Sequence, residues 1–132
     1  MNNLTQLSWD CWNPQQLQLV DAFQRYGCSL VSCYPDGSNN GFVHTVGLEY
    51  SSEHPELLSV DLPKGDGKIL IDSLATLVKD GRRFREGDVY EDLAGCSKVC
   101  FVAMGQQDFR HMAVAAWFYH YEPFRVLKVV AA

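Results

Sequence analysis

The residues of this chain best placed to do chemistry are two histidines, a threonine, a glycine and a glutamate lying between positions 41 and 58. The stretch reads Gly41-Phe-Val-His-Thr-Val-Gly-Leu48 and continues Glu49-Tyr-Ser-Ser-Glu-His-Pro-Glu-Leu-Leu58. Its first part has the pattern of a central strand. Side chains alternate along a strand, so His44 would share one face with Phe42, Val46 and Leu48. A histidine there can serve as a base or a ligand, or it can be a core imidazole satisfied by one hydrogen bond. Thr45 and Gly47 would point to the opposite face. A glycine inside a strand weakens it and often marks close approach by a ligand or by another backbone. A cleft over Thr45 and Gly47 is the first place to look for a bound small molecule, and a helix packed on Gly47 is the other reading. On the following loop, His54 and Glu56 could form an acid–base pair, or the loop could simply seat Pro55 and cap the next strand. The catalytic candidates are therefore His44, His54 and Glu56.

Other chemistry finds little support. Cys11, Cys28, Cys33, Cys96 and Cys100 make an odd number without a framework spacing, as expected of reduced thiols in a cytoplasmic protein. Cys28 and Cys33 would face opposite sides of one strand, and Cys96 and Cys100 lack a zinc-knuckle gap, so no metal site is expected. There is no phosphate loop, no dinucleotide glycine motif and no Gly-x-Ser-x-Gly elbow, and no cofactor is expected. The aromatic run Trp117-Phe-Tyr-His-Tyr121 divides by helical spacing: Trp117 and Tyr121 suit the core, while Phe118 and Tyr119 lie off that stripe and suit a partner surface.

These groups need a scaffold, and 132 residues with 47% hydrophobic and 20% charged content are enough for one domain with its own core. The domain is expected to span 1–132, its core 14–130. A formal charge of −5 argues against a nucleic-acid surface, which needs clustered Lys and Arg. Arg82-Arg83-Phe84-Arg85 is the one local basic patch, and it reads as a solvated helix end. The first eight residues lack the basic start and apolar run of a secretory signal, and no apolar stretch approaches the roughly 20 residues that span a bilayer.

The spacing predicts a helix over 14–26. Asn13 suits its N-cap, Pro14 its first position, Gln16 a capping box, Trp12 a staple onto Leu17, and Gly27 the left-handed stop. Strands follow at 28–34, 42–48 and 57–62, able to form a meander; Pro35-Asp36-Gly37 turns between the first two. Ile69, Leu70, Leu74, Leu77 and Val78 mark a helix over 66–80, closed by Gly81. Residues 84–92 read as an irregular connection, 98–104 as a strand, 106–120 as a helix, and 124–130 as the final strand. The order is helix, three strands, helix, strand, helix, strand. It suits an α+β fold with a mixed, largely antiparallel sheet of about five strands and three helices.

At this point the residues resemble a known family. Phe42-x-His-Thr-Val-Gly-Leu48, then His54-Pro-Glu-Leu57, then a Leu-rich helix ending Val78-x-x-Gly81-x-x-Phe84-x-x-Gly87, look like domain-of-unknown-function family 4262, a set of small, mainly bacterial proteins. Trp117-Phe-Tyr119 and Phe124-x-Val-Leu127 are similar to its C-terminal helix and strand, so the resemblance covers about 27–130. Two departures stand out. The family usually has Tyr where this chain has His44, and a Trp-Pro-Asp type ending where this chain has Ala131-Ala132. A family active site built on that acidic tail would be missing here. The resemblance implies a fold and a pocket without supplying a reaction.

Two functions compete. The first is a small, acidic, non-catalytic binding protein, for example an immunity protein that neutralises a toxin or effector by covering its active site. It expects a protein partner with a basic surface, no nucleic acid and no membrane. It also expects a contiguous acidic patch drawn from Asp10, Glu49, Glu53, Asp88, Glu91 and Asp92. Glu49, Glu53, Phe118 and Tyr119 are the candidate partner-binding residues. The alternative is a small enzyme or ligand-binding domain with a pocket around Thr45, Gly47, His54 and Glu56.

Overall fold

The computed structural model describes residues 13–34, 41–62, 64–93 and 95–131, and of positions 64, 96, 97 and 131 the backbone alone. Trp12, the turn at 35–37, Asp10 and Cys11 lie outside the described residues.

The chain opens with α1 (Pro14–Tyr26), and its start follows the local code. Gln16 N–H donates to Asn13 Oδ1 at 2.8 Å, and Asn13 N–H donates to Gln16 Oε1 at 3.0 Å, closing the capping box. At the far end Gly27 takes φ 86° and its N–H returns to Phe23 O, a left-handed stop that favours glycine. Strands β1 (Ser29–Cys33), β2 (Phe42–Val46) and β3 (Glu56–Val60) then form the expected antiparallel meander. Helix α3 (Lys64–Lys79) follows, then β4 (Val89–Leu93), β5 (Cys96–Ala103), a 3-10 segment (Gln106–Met112), α4 (Ala113–Phe118) and β6 (Val126–Ala131).

Among the described residues the sheet has six strands in the order β1-β2-β3-β6-β5-β4. β3 and β6 run parallel, and the other neighbours are antiparallel. The class is α+β with a mixed, largely antiparallel sheet. β2 is an interior strand, flanked by β1 and β3 and buried from Val43 to Val46. Among the described residues no helix is long and apolar enough to cross a membrane.

Three local expectations need correction. Leu48 does not extend the strand. Gly47 leaves it at φ 112°, and Leu48–Ser52 form the short helix α2 where a polar loop was expected. Residues 89–93 pair with β5 as an edge strand, although the acids Glu91 and Asp92 hide the alternation. The 106–120 stretch begins as 3-10, three residues per turn, which shifts the phase of the helix that follows. Its buried stripe is therefore Met112, Ala115, Phe118 and Tyr119, while Phe109 and Tyr121 are exposed.

The sheet separates two apolar layers. On one face α3 contributes Leu70, Ile71, Leu74 and Val78, packed with Val43, Leu57, Phe101 and Val129. On the other, α1 and α4 bring Leu19, Val20, Ala115 and Phe118 onto Val46 and Leu58. Each fully buried Leu or Val contributes about 1.5–3 kcal/mol of transfer free energy, so these layers dominate the folding balance. The helices lie over β1, β2 and β3. The β4–β5–β6 half has one face sealed by Phe84, Tyr90 and Phe101, whose rings stack and meet edge-on. On its other face Val89, Cys100 and Val130 stand in one cross-strand row, with Val102 beside them. Val89 is 54% exposed, Val130 40% and Val102 37%.

Candidate functional site

Glu56 opens β3 and is fully buried. The β2–β3 ladder ends at the His44–Leu58 pair, and beyond it Thr45 takes over: its Oγ1 accepts from Leu57 N–H at 2.9 Å and donates to Glu56 Oε1 at 2.7 Å. The same carboxylate accepts the N–H groups of Gly47 (3.2 Å), Leu48 (3.3 Å) and Glu49 (3.2 Å), the opening amides of α2. The Tyr119 hydroxyl also donates to Glu56 Oε2, and Gly47 N–H reaches that hydroxyl oxygen at 3.2 Å. A glutamate remote in sequence thus caps a helix whose own N-cap, Gly47, has no side chain to offer. Burial pushes the Glu56 carboxyl up to about 7, against the pull of the Tyr119, Thr45 and backbone donors. Burial and the neighbouring carboxylate raise Tyr119 in turn.

Gly47 has a packing reason for its identity. A Cβ there would run into the ring of Phe23 from α1, and φ 112° lies in the region that favours glycine. The space expected as a cleft over Thr45 and Gly47 is filled by that ring on one side and the Glu56 hydrogen bonds on the other.

His54 is buried, and both ring nitrogens are engaged. Nδ1–H donates to Pro55 O at 2.8 Å, and Nε2 accepts Phe84 N–H at 3.0 Å. That pair of partners requires the neutral ring. Burial above all, helped by the charges of Arg83 and Arg125, holds its pKa below the usual histidine value. His54 and Glu56 are neighbours in sequence but serve different networks, each bonded to its own partners. The turn does bring His54 to the wall of a cleft of about 440 Å³, shared with Pro55, Phe84, Arg83, Arg85 and Arg125.

His44 shares its face with Phe42 and Val46 as expected. It stacks on Phe42 with ring centroids 5.8 Å apart, and Phe42 meets His111 at 4.5 Å. Its Nδ1–H donates to Thr45 O at 2.9 Å, and its buried Nε2 has no hydrogen-bond partner. Burial lowers its pKa to about 4.

The expected partner residues fare unevenly. Glu53 is exposed. Glu49 is engaged by Arg125, whose Nε (2.9 Å) and Nη2 (2.7 Å) form a two-point contact with its carboxylate. Phe118 and Tyr119, expected on the surface, are buried, because the 3-10 segment re-phases the helix before them. Of the expected acidic patch, Glu91 and Asp92 are exposed on β4, while Asp88 accepts from Arg85 N–H and the Tyr90 hydroxyl. Among the described residues no group of three or more His, Cys, Asp and Glu side chains could hold a metal. The role of Tyr119 was missed because its partner lies 63 positions away, and no local pattern signals such a pair.

Compared with known proteins, residues 22–132 match the family model described as Domain of unknown function (DUF4262). No curated protein matches the chain, and no solved structure does.

Proposed function

The chain belongs to the DUF4262 family, and we propose that it is a non-catalytic binding protein that presents the open face and edge of β4–β5–β6 to a protein with a basic surface. A cytoplasmic immunity protein that covers the active site of a toxin or effector is the kind of binder this describes. The observation that carries the reading is the cross-strand row Val89–Cys100–Val130, with Val102 beside it, left uncovered while α1, α3 and α4 pack on the β1–β2–β3 half. Apolar rows of this kind mark contact surfaces, and edge strands offer unpaired backbone groups to an incoming chain. Glu91 and Asp92 stand exposed on that edge, and a net charge of −5 favours fast encounter with a basic partner. The candidate catalytic groups point the same way: Glu56 and His54 spend their polar atoms on internal partners. An enzyme or ligand-binding reading through Thr45, Gly47, His54 and Glu56 would first have to break those bonds.

The test is made on a purified pair, once affinity capture from the native host has supplied the partner. Reversing the edge charge with Glu91→Lys and Asp92→Lys should weaken association at least about tenfold, mostly through a slower on-rate at low salt, while melting falls only slightly because Lys98 stands opposite position 91. A partner that binds the reversed variant as tightly as the parent would rule this surface out.

A further inference from the structure

The cleft beside His54 has a composition at odds with the chain around it. The protein carries a formal charge of −5, yet three of its eleven Lys and Arg residues, Arg83, Arg85 and Arg125, line this one cleft of about 440 Å³. That volume falls within the range of small-molecule pockets. Pro55, Phe84 and Leu127 give it an apolar wall. Phe84 is held firmly, its ring stacked on Phe101 with centroids 4.5 Å apart and its N–H on His54 Nε2. The arginines sit on an equally fixed frame. Arg83 Nη1 donates to Arg82 O at 3.1 Å and to Val78 O at 3.4 Å. Arg85 N–H is anchored on Asp88 at 2.9 Å, and Arg125 is clamped by Glu49 and by Glu53 O. Glu53 and Glu86 share the lining. The charges felt by His54 on the cleft wall are those of Arg83 and Arg125, with Glu49 opposing.

We propose that this cleft binds a small organic anion, a phosphate or carboxylate group carried on a flat apolar body. Arg83 and Arg85 supply planar, permanently charged donors that match such oxygens in pairs. Arg125, already committed to Glu49, contributes its field and the shape of the rim. Pro55, Phe84 and Leu127 receive the apolar body. The neutral His54 ring, locked between Pro55 O and Phe84 N–H, keeps Phe84 in place without competing for the ligand.

Phenyl phosphate and benzoate, titrated into the full chain by calorimetry at constant ionic strength balanced with NaCl, separate the two anion chemistries. Saturable binding of either probe supports the site, and the tighter one names the group it prefers. Arg83→Gln with Arg85→Gln should weaken that binding about tenfold or more, while Glu86→Gln should tighten it two- to threefold. Unchanged melting of the variants in NaCl alone shows that the fold is intact. Heats no larger than those of added NaCl, or a double variant that binds as tightly as the parent, would overturn the proposal.

Discussion

The two halves of the sheet solve the problem of polar groups in opposite ways. In β1–β2–β3, helices pack on both faces, and the polar groups trapped beneath them must find partners within the protein. Glu56 does so completely, with donors from Thr45, Tyr119 and three α2 amides. His44, on the neighbouring strand, does so only in part and keeps Nε2 unpaired. In β4–β5–β6 one face stays open, so Lys98 and Glu91 stand in solvent while valines share their surface. A half that has spent its polar groups on itself is scaffold; a half that leaves apolar side chains uncovered is the one the proposed binding would use.

The largest expected effect comes from breaking the closed half at its polar centre. Glu56→Ala removes the acceptor for five donors at a fully buried position, and also leaves a cavity. Unpaired buried groups and a broken network place the loss at about 3–5 kcal/mol, measurable by urea unfolding. Glu56→Gln keeps the shape and should cost clearly less. A loss below about 1 kcal/mol for the alanine variant would mean that α2 does not depend on this cap.

The same residues show what the sequence could and could not disclose. The start and stop of α1 were legible because Asn13, Pro14, Gln16 and Gly27 act over a few residues. The meander, and the face shared by His44, Phe42 and Val46, followed from strict alternation. Glu56 was visible as a loop carboxylate worth attention, but its place at the buried start of β3 and its role depend on Tyr119 and on a helix too short to have a period of its own. Strand β4 was hidden for the opposite reason: an edge needs only one apolar face, and acids interrupt it. The cleft arginines come from the connection between α3 and β4 and from the residue before β6, and they meet only through the parallel pairing of β3 with β6 and the Phe84 N–H bond to His54.

A second effect, nearly as large, separates the two buried titrating groups. Glu56 has a folded pKa of about 7 against 4.5 for an ordinary glutamate carboxyl, so the folded state holds a proton that the unfolded chain has lost. Its contribution is fully present below pH 4.5 and disappears as pH rises through 7. His44 runs the other way. With a folded pKa of about 4 against 6.5, its contribution is present above pH 6.5 and disappears as pH falls through 4. Each amounts to roughly 3 kcal/mol by linkage, and between pH 4.5 and 6.5 they oppose each other. These two contributions should therefore nearly cancel in the parent over that interval. Glu56→Gln should expose the histidine slope, with stability rising from pH 4 to 6.5, and His54, also depressed, adds to that rise. Urea midpoints across pH 4–8 check this, and parallel curves for parent and variant would show that Glu56 does not titrate in the folded protein.

The smallest effect is the sharpest probe of the comparison, because one substitution can be made in both halves. Valine to threonine keeps the shape and adds a hydroxyl that must be hydrogen-bonded. At Val43, completely buried under α3, no water is at hand, and the change should cost about 1–3 kcal/mol. At Val102 solvent supplies the bond, and the change should stay within about 0.5 kcal/mol. The difference between the two free energies, read from paired urea titrations, measures how open the β4–β5–β6 face is in solution. If Val102→Thr costs as much as Val43→Thr, that face is covered in the free protein. A partner would then have to displace the cover before it could bind, and the association proposed here would have to be slow where the exposed edge charges call for it to be fast.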